Sequence, residues 1–195
     1  MTIELNLFDS ESVAEAVDAI SELATANGIE WALAGGLATA LHGGDLNTRD
    51  IEIIANKFLP LKNQGLLRKG GKRYSIKTAR SDFSVDWILR NDAFKKLFAV
   101  ALSEAARINE IPVLTPEWLV ILKFIAGRFK DQEDAVFLLS RKGLVDRRSI
   151  KEKIIKHIGR EAWGLAKHGY NRWYDMADGR TREEERNEAD GYIDS

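Results

Sequence analysis

Two carboxylates stand two residues apart in the apolar segment Asp50-Ile51-Glu52-Ile53. The β-branched residues predict a strand, and side chains at positions i and i+2 of a strand point to the same face. Asp50 and Glu52 therefore project together, while Ile51 and Ile53 point into the core. Neighbouring anions repel each other, and Mg²⁺ is commonly bound by one or two carboxylates together with substrate phosphates. Acid pairs also decorate exposed strands, so the pair alone fits either a cation site or a solvated surface.

A third acid, Asp86, stands in the otherwise apolar segment 83–89. A carboxylate in such a strand is costly unless it is paired, exposed by alternation or bound to a cation. If this strand neighbours the strand of Asp50 and Glu52, three carboxylates converge, which is the minimum set for a two-metal phosphoryl-transfer site. If Asp86 is far from Asp50, the acids are surface decoration.

The pair Gly35-Gly36 lies 14 residues before Asp50, between an apolar run at 29–34 and a short predicted helix at 37–42. A strand, a glycine turn and a helix start place backbone N–H groups and a positive dipole end at the turn, which favours phosphate. A lone glycine pair is usually only a turn, but its position before the acid pair leads us to expect Gly35 and Gly36 to bind phosphate.

Hydrophobic periodicity predicts the elements that position these residues. The first half alternates predicted helices with predicted strands, and the second half is helical from the start signal Thr115-Pro116-Glu117 onward. We predict an α/β (α+β) fold with a short mixed sheet, flanking helices and a helical C-terminal region. The predicted helices cover residues 9–27, 37–42, 57–68, 92–107, 117–127, 131–141, 148–158 and 161–177. The predicted strands cover residues 29–34, 51–55, 73–78, 83–89 and 111–114.

The expected domain organisation has three parts. Residues 1–114 form the α/β core, residues 115–177 form a helical region packed on it, and residues 178–195 form an acidic tail, either a solvated helix or a disordered extension. We expect the aromatic residues of the last helix to dock it or to form an interface; they are Trp163, Tyr170, Trp173 and Tyr174.

Composition narrows the function classes. The 195 residues carry 29 Lys and Arg against 30 Asp and Glu, and such a balance argues against a large basic surface for nucleic acid. The chain has no cysteine, which excludes disulfides, thiolate chemistry and Cys-based zinc sites. The first residues lack the pattern of a signal peptide, and no apolar run is long enough for a membrane span. We therefore expect a cytoplasmic protein that does not bind a membrane.

Four basic residues flank the turn at Gly70-Gly71, namely Lys69, Lys72, Arg73 and Lys77. They fit either a basic edge over the acidic site or a charged hairpin that discourages edge-to-edge pairing. We favour the charged hairpin.

Several motifs occur in a fixed order along the chain. They read Gly35-Gly36, His42-Gly43, Thr48-Arg49-Asp50-Ile51-Glu52 and, later, a single strand acid, Asp86. This pattern resembles the DNA polymerase β-type nucleotidyltransferase superfamily, and in particular its small bacterial and archaeal members. The resemblance implies a nucleotidyltransferase that uses Mg²⁺ (or Mn²⁺), with Asp50, Glu52 and Asp86 as metal-binding and catalytic residues.

A downstream stretch, residues 114–134, is similar to a segment of minimal nucleotidyltransferases and of the related abortive-infection toxins. The similarity places Lys123 and Asp131 near the bound nucleotide. Read from the residues alone, Lys123 and Asp131 fit a surface ion pair equally well.

Three positions depart from the family pattern. Gly36 replaces the usual serine, Glu52 replaces the commoner aspartate, and Leu46 stands where arginine is frequent. The favoured function is transfer of a nucleoside monophosphate from a nucleoside triphosphate to an acceptor hydroxyl on a protein, a tRNA or a small molecule. The alternative is a catalytically silent nucleotidyltransferase-like binding module, such as a toxin–antitoxin component that acts through a partner protein.

Overall fold

The computed structural model describes residues 10–44, 50–68 and 70–180, which hold seven helices and seven strands. The chain divides into two compact units, Met1–Leu119 and Val120–Ser195, and the division falls within α4. The elements in chain order are α1 (Ser10–Ala26), β1 (Trp31–Ala34), α2 (Gly35–Leu41), β2 (Asp50–Ala55), β3 (Gly65–Leu66), β4 (Lys72–Lys77), β5 (Asp82–Ile88), α3 (Lys95–Ser103), β6 (Ala106–Ile108), β7 (Ile111–Val113), α4 (Pro116–Ala126), α5 (Phe129–Ser140), α6 (Arg147–His157) and α7 (Arg160–Ala177).

The first unit is built on one mixed sheet with the strand order β3-β4-β5-β2-β1-β7-β6. Two strand pairs are parallel, β2 with β5 and β1 with β7, and the other pairs are antiparallel. The α/β class, the mixed sheet and the helical C-terminal region predicted from the sequence are confirmed.

The two faces of the sheet differ in polarity where β2, β5 and β4 run side by side. Along each strand, buried apolar residues alternate with more accessible ones, as a half-buried strand requires. One face carries buried side chains such as Ile51, Val85, Trp87 and Tyr74. The other face carries the polar residues Asp50, Glu52, Arg73, Ser75, Ser84 and Asp86.

The helix predicted over residues 57–68 is wrong. The segment is irregular up to the two-residue strand β3, and two of its carbonyl groups accept hydrogen bonds from side chains of the sheet. The indole N–H of Trp87 donates to the Lys57 carbonyl at 2.7 Å, and the Tyr74 hydroxyl donates to the Leu59 carbonyl at 3.3 Å. Carbonyls that accept these bonds do not need an intrahelical ladder.

The helix predicted over residues 92–107 is too long. α3 ends at Ser103, and the chain then forms the hairpin of β6 and β7, in which Ile108 pairs with Ile111. The two turn residues, Asn109 and Glu110, both have positive φ, at 48° and 66°. This is the backbone of a type I′ turn, whose twist matches that of the flanking strands.

The second unit is helical. α7 packs its buried Tyr170 and Trp173 against Phe124, with the Phe124 and Tyr170 rings stacked at a centroid distance of 4.0 Å. Within residues 10–44, 50–68 and 70–180, no helix combines the length and apolar character needed to cross a bilayer.

Candidate active site

The parallel pairing of β2 with β5 brings the three acids to one face of the sheet. Glu52 is the register partner of Asp86, and Asp50 is the register partner of Ser84. Register partners of adjacent strands point to the same side, so Asp50, Glu52 and Asp86 share the polar face. We call the part of this face that carries the three acids the acid face.

Gly35 lies directly against the Glu52 carboxylate. β1 pairs with β2 so that Ala34 is opposite Glu52, and Gly35 follows at the start of α2 with a φ of +60°. A Cβ on Gly35 would lie 1.6 Å from Glu52 Oε2, a separation that no pair of non-bonded atoms tolerates. Glycine at this position therefore permits both the left-handed backbone and the approach of the Glu52 carboxylate.

α2 has seven residues and ends at a packed contact. His42 follows its last turn, and the His42 ring places Nε2 2.9 Å from the Leu114 carbonyl oxygen. This contact ties the end of α2 to the residue that follows β7, which holds the Gly35 turn at a fixed place beside the acid face.

Arg73 forms a bidentate ion pair with Asp86. Its guanidinium donates from Nε to Asp86 Oδ1 at 2.6 Å and from Nη2 to Asp86 Oδ2 at 2.8 Å, across the β4–β5 register pair. The hydrogen bond to Asp86 and its negative charge raise the pKa of Arg73, and the charge of Asp50 adds to the shift. The Arg73 side chain is 45% exposed and that of Asp86 is 13% exposed, so the arginine head can leave while the acid stays in place.

The acid face suits a hard divalent cation in its donor chemistry. Carboxylate oxygens are ligands that Mg²⁺ and Mn²⁺ prefer, and the guanidinium on Asp86 shows that the patch attracts positive charge. Among the described residues, no three His, Cys, Asp or Glu side chains are arranged as a ready-made metal site. Mg²⁺ usually takes one or two carboxylates plus substrate phosphates, so the residues fit a cation that arrives with a nucleotide.

Lys123 and Asp131 each have a partner inside the second unit. The Lys123 ammonium, only 5% exposed, donates to Asp134 Oδ2 at 2.5 Å. Asp131 accepts from the Arg128 backbone N–H at 3.1 Å and from the Arg128 guanidinium, so its carboxylate caps the start of α5. Their role at the nucleotide, implied by the family resemblance, stays a prediction.

Several sequence predictions lie outside the described residues. They concern Leu46, Thr48, Arg49, Lys69 and the part of the acidic tail formed by residues 181–195.

Arg73 is the functional candidate for which the sequence interpretation favoured the wrong one of its two readings. The favoured reading made it part of a charged hairpin, whereas its side chain lies on the acid face and binds Asp86. Alternation with the buried Tyr74 and Ile76 signals the face that Arg73 occupies. Its partner depends on the β4–β5 register, which no local pattern specifies.

Comparison with known proteins gives structural likeness alone. No protein-family model matches the chain, and no curated protein matches it in sequence. Among solved structures, the chain is similar to an antigenic nucleotidyltransferase-like protein from Paracoccidioides brasiliensis, with a TM-score of 0.47 and 16% identity over 82% of this chain and 93% of that one. It is also similar to the protein JHP933 from Helicobacter pylori, with a TM-score of 0.49 and 12% identity over 96% of this chain and 100% of that one.

A third solved structure, an inferred nucleotidyltransferase from H. pylori, has a TM-score of 0.45 and 15% identity over 81% of this chain and 83% of its own. The first and third of these proteins are described as nucleotidyltransferase-like or as a nucleotidyltransferase. All three TM-scores are below 0.5, so the function proposed below is based on the residues and geometry of this chain.

Proposed function

We propose that this protein is a divalent-cation-dependent nucleotidyltransferase, which transfers a nucleoside monophosphate from a nucleoside triphosphate to an acceptor hydroxyl. The observation that carries the proposal is the register pair of Glu52 with Asp86. It gathers the acids on one face, and Gly35 at the start of α2 lies against the same Glu52 carboxylate.

The charge of the site explains why a cation is needed. A phosphate that binds at Gly35 and Gly36 lies next to the Glu52 carboxylate, because Glu52 is packed against Gly35. The two negative groups repel each other unless a cation lies between them. Asp50, Glu52 and Asp86 would hold Mg²⁺ or Mn²⁺. When bound, the cation neutralises phosphate charge and lowers the pKa of the acceptor hydroxyl.

The side chains of the acid face have separate roles in positioning the substrate and in proton transfer. Asp50 and Glu52 fix the position of the triphosphate relative to the sheet. Asp86 accepts the proton of the acceptor hydroxyl while the acceptor oxygen bonds to the α-phosphorus. The bond between the α-phosphorus and the oxygen that bridges to the β-phosphate breaks, and pyrophosphate leaves. Arg73 must release Asp86 for this step, and its exposed guanidinium can turn to the departing phosphates.

The test is a transfer assay with the full chain. Each of the four α-³²P-labelled nucleoside triphosphates is incubated with Mg²⁺ or Mn²⁺ and with protein, tRNA or small-molecule hydroxyl acceptors. Released pyrophosphate and label on the acceptor are both measured. We expect transfer by the parent protein, and loss of at least 100-fold in Asp50→Asn and Glu52→Gln with the fold retained by circular dichroism.

A second candidate function is the catalytically silent binding module, for example one half of a toxin–antitoxin pair. It is favoured by the bidentate hold of Arg73 on Asp86, which keeps one of the three acids engaged. Titration of Mn²⁺ with and without ATP separates the two candidates. A silent module binds Mn²⁺ no better in the presence of ATP, whereas an enzyme binds the two cooperatively.

A further inference from the structure

A small cavity of about 210 Å³ opens on the first unit next to α3. Its floor is formed by Ile54 and Ile88, and its side wall by apolar residues of α3. Phe98, Ala99 and Leu102 belong to this wall, and the polar residues Asn56, Arg90 and Lys95 also line the cavity.

The cavity adjoins the acid face. Ile54 pairs with Ile88 in the same parallel register that pairs Glu52 with Asp86, one side-chain step further along both strands. Residues two apart on a strand share a face and lie about 7 Å from each other. The apolar floor therefore follows the acid face on the same side of the sheet, toward the carboxyl ends of β2 and β5.

The wall of the cavity is held in place. Arg90 is 8% exposed, binds Asp92 through two hydrogen bonds and lies over the Phe98 ring at 4.9 Å from its centroid. Leu97 and Ala101 anchor the opposite side of α3 in the core. An apolar wall fixed in this way is suited to the face of a flat ring system.

We propose that this cavity binds the nucleobase of the nucleoside triphosphate whose phosphates bind at the acid face. The proposal rests on the proposed function and names the part of the substrate that the acids do not contact. The volume of the cavity supports this choice. Sites for whole drug-sized ligands span about 300–1,000 Å³, whereas a cavity of about 210 Å³ accommodates only one part of a nucleotide. Its apolar walls suit the faces of a base, and they suit a phosphate or a sugar poorly.

The test compares a nucleotide with the same phosphates lacking a base. Affinities for ATP and for inorganic tripolyphosphate are measured in the presence of Mn²⁺ for the parent, for Ala99→Trp and for Ala93→Trp. Ala99 is exposed on α3 and lines the cavity, whereas Ala93 is exposed in the preceding turn and is not among the lining residues. The same chemical change is thus made inside and outside the cavity.

We expect the parent to bind ATP more tightly than tripolyphosphate. Ala99→Trp should weaken ATP binding at least tenfold while leaving tripolyphosphate binding unchanged, and Ala93→Trp should alter neither. If Ala99→Trp does not fold, Ala99→Leu, which fills less of the cavity, gives the same comparison with a smaller effect.

Two outcomes overturn the inference and leave the proposed function standing. One is unchanged ATP affinity in folded Ala99→Trp. The other is a rise in KM for the acceptor with no change in ATP affinity, which assigns the cavity to the acceptor. If the parent binds neither ATP nor tripolyphosphate, the proposed function itself fails and this inference falls with it.

Discussion

The Glu52 carboxylate occupies the space in which a side chain at Gly35 would lie, with Oε2 1.6 Å from the position of a Cβ. Gly35→Ala should therefore both strain the backbone at φ +60° and displace Glu52 from the acid face. We expect a loss of stability greater than the roughly 1–2 kcal/mol of a left-handed alanine, together with loss of nucleotide binding. Urea unfolding and nucleotide titration measure the two effects.

The matched control for this variant is Gly28→Ala. Gly28 has nearly the same φ, +57°, at the other end of β1, and an added Cβ there meets no atom within 4 Å. This control should lose only the backbone contribution and should retain nucleotide binding. Equal losses in the two variants would show that the Glu52 contact is irrelevant.

On the proposed function, a divalent cation at the acid face competes with Arg73 for Asp86. Arg73→Gln should therefore bind Mn²⁺ more tightly than the parent in the absence of nucleotide. The pair is partly exposed and worth about 0.5–1 kcal/mol, which corresponds to a roughly two- to fivefold gain in affinity. Mn²⁺ titration followed by electron paramagnetic resonance measures this gain.

Lys77→Gln is the control for the loss of positive charge, because Lys77 lies on the same strand and face but pairs with Asp82 at 4.0 Å. Unchanged or weaker Mn²⁺ binding in Arg73→Gln, relative to this control, would contradict the competition.

Lys123 is buried beside Asp134, so its substitution should affect stability. Lys123→Met leaves the Asp134 carboxylate, 22% exposed, without its ammonium partner. Loss of one member of a buried pair costs about 3–5 kcal/mol, and the partial exposure of Asp134 reduces the expected loss to about 1–3 kcal/mol. The double variant Lys123→Met/Asp134→Leu should recover much of this loss in urea unfolding.

Lys151→Met, at an exposed position of α6, serves as the control for Lys123→Met. Nucleotide titration of both folded variants also tests the role that the family resemblance implies for Lys123. A loss of affinity in Lys123→Met alone supports that role, and equal affinities remove it.

Stability in the second unit should depend on acid pH through Asp178. The Arg147 guanidinium donates to both Asp178 oxygens, at 2.9 and 2.5 Å, and these bonds lower the pKa of Asp178. A depressed carboxyl pKa stabilises the folded state above the unfolded pKa of about 3.9, and this contribution disappears as the pH falls through the folded pKa. Asp178→Asn should therefore be less stable than the parent at pH 7 and converge with it at the acid end.

Thermal unfolding of Asp178→Asn and Arg147→Gln across pH 2–7 checks this expectation. Both variants should show the same reduced pH dependence, since each removes the same pair. A stability difference that persists unchanged to pH 2 would assign the effect to packing.

The strands that carry the acids were predictable because their signal is local, whereas β3 and most of β6 fell inside predicted helices. Alternation around Ile51 and Ile53, and around Val85 and Trp87, locates β2 and β5 to within one residue of their ends. The helix predicted at 57–68 failed because distant side chains, those of Tyr74 and Trp87, take up the carbonyls of that segment. A period of three to four residues carries no information about such partners.

The candidate site also has a part that the sequence predicts and a part that it does not. The carboxylates of Asp50 and Glu52 could be placed on one face from their spacing. Whether Asp86 joins them was left open, because it depends on the pairing of β2 with β5. The bond of Arg73 to Asp86 could not be predicted, because it depends on which residue of β4 faces which residue of β5. Sequence spacing determines the face of a side chain, whereas the register between strands determines its neighbour.

The place of β1 in the sheet sets the order in which the fold can be completed during synthesis. All four residues of β1 are buried, and Leu33 pairs with Val113, far along the chain, while the Leu33 carbonyl accepts from the Leu114 N–H at 3.0 Å. As the chain leaves the ribosome, β1, β2 and β5 can assemble the acid face while the other edge of β1 still lacks its partner. An apolar strand edge of this kind is prone to pair with other chains until it is covered. The emergence of residues 111–114 is therefore the step that closes the nascent sheet.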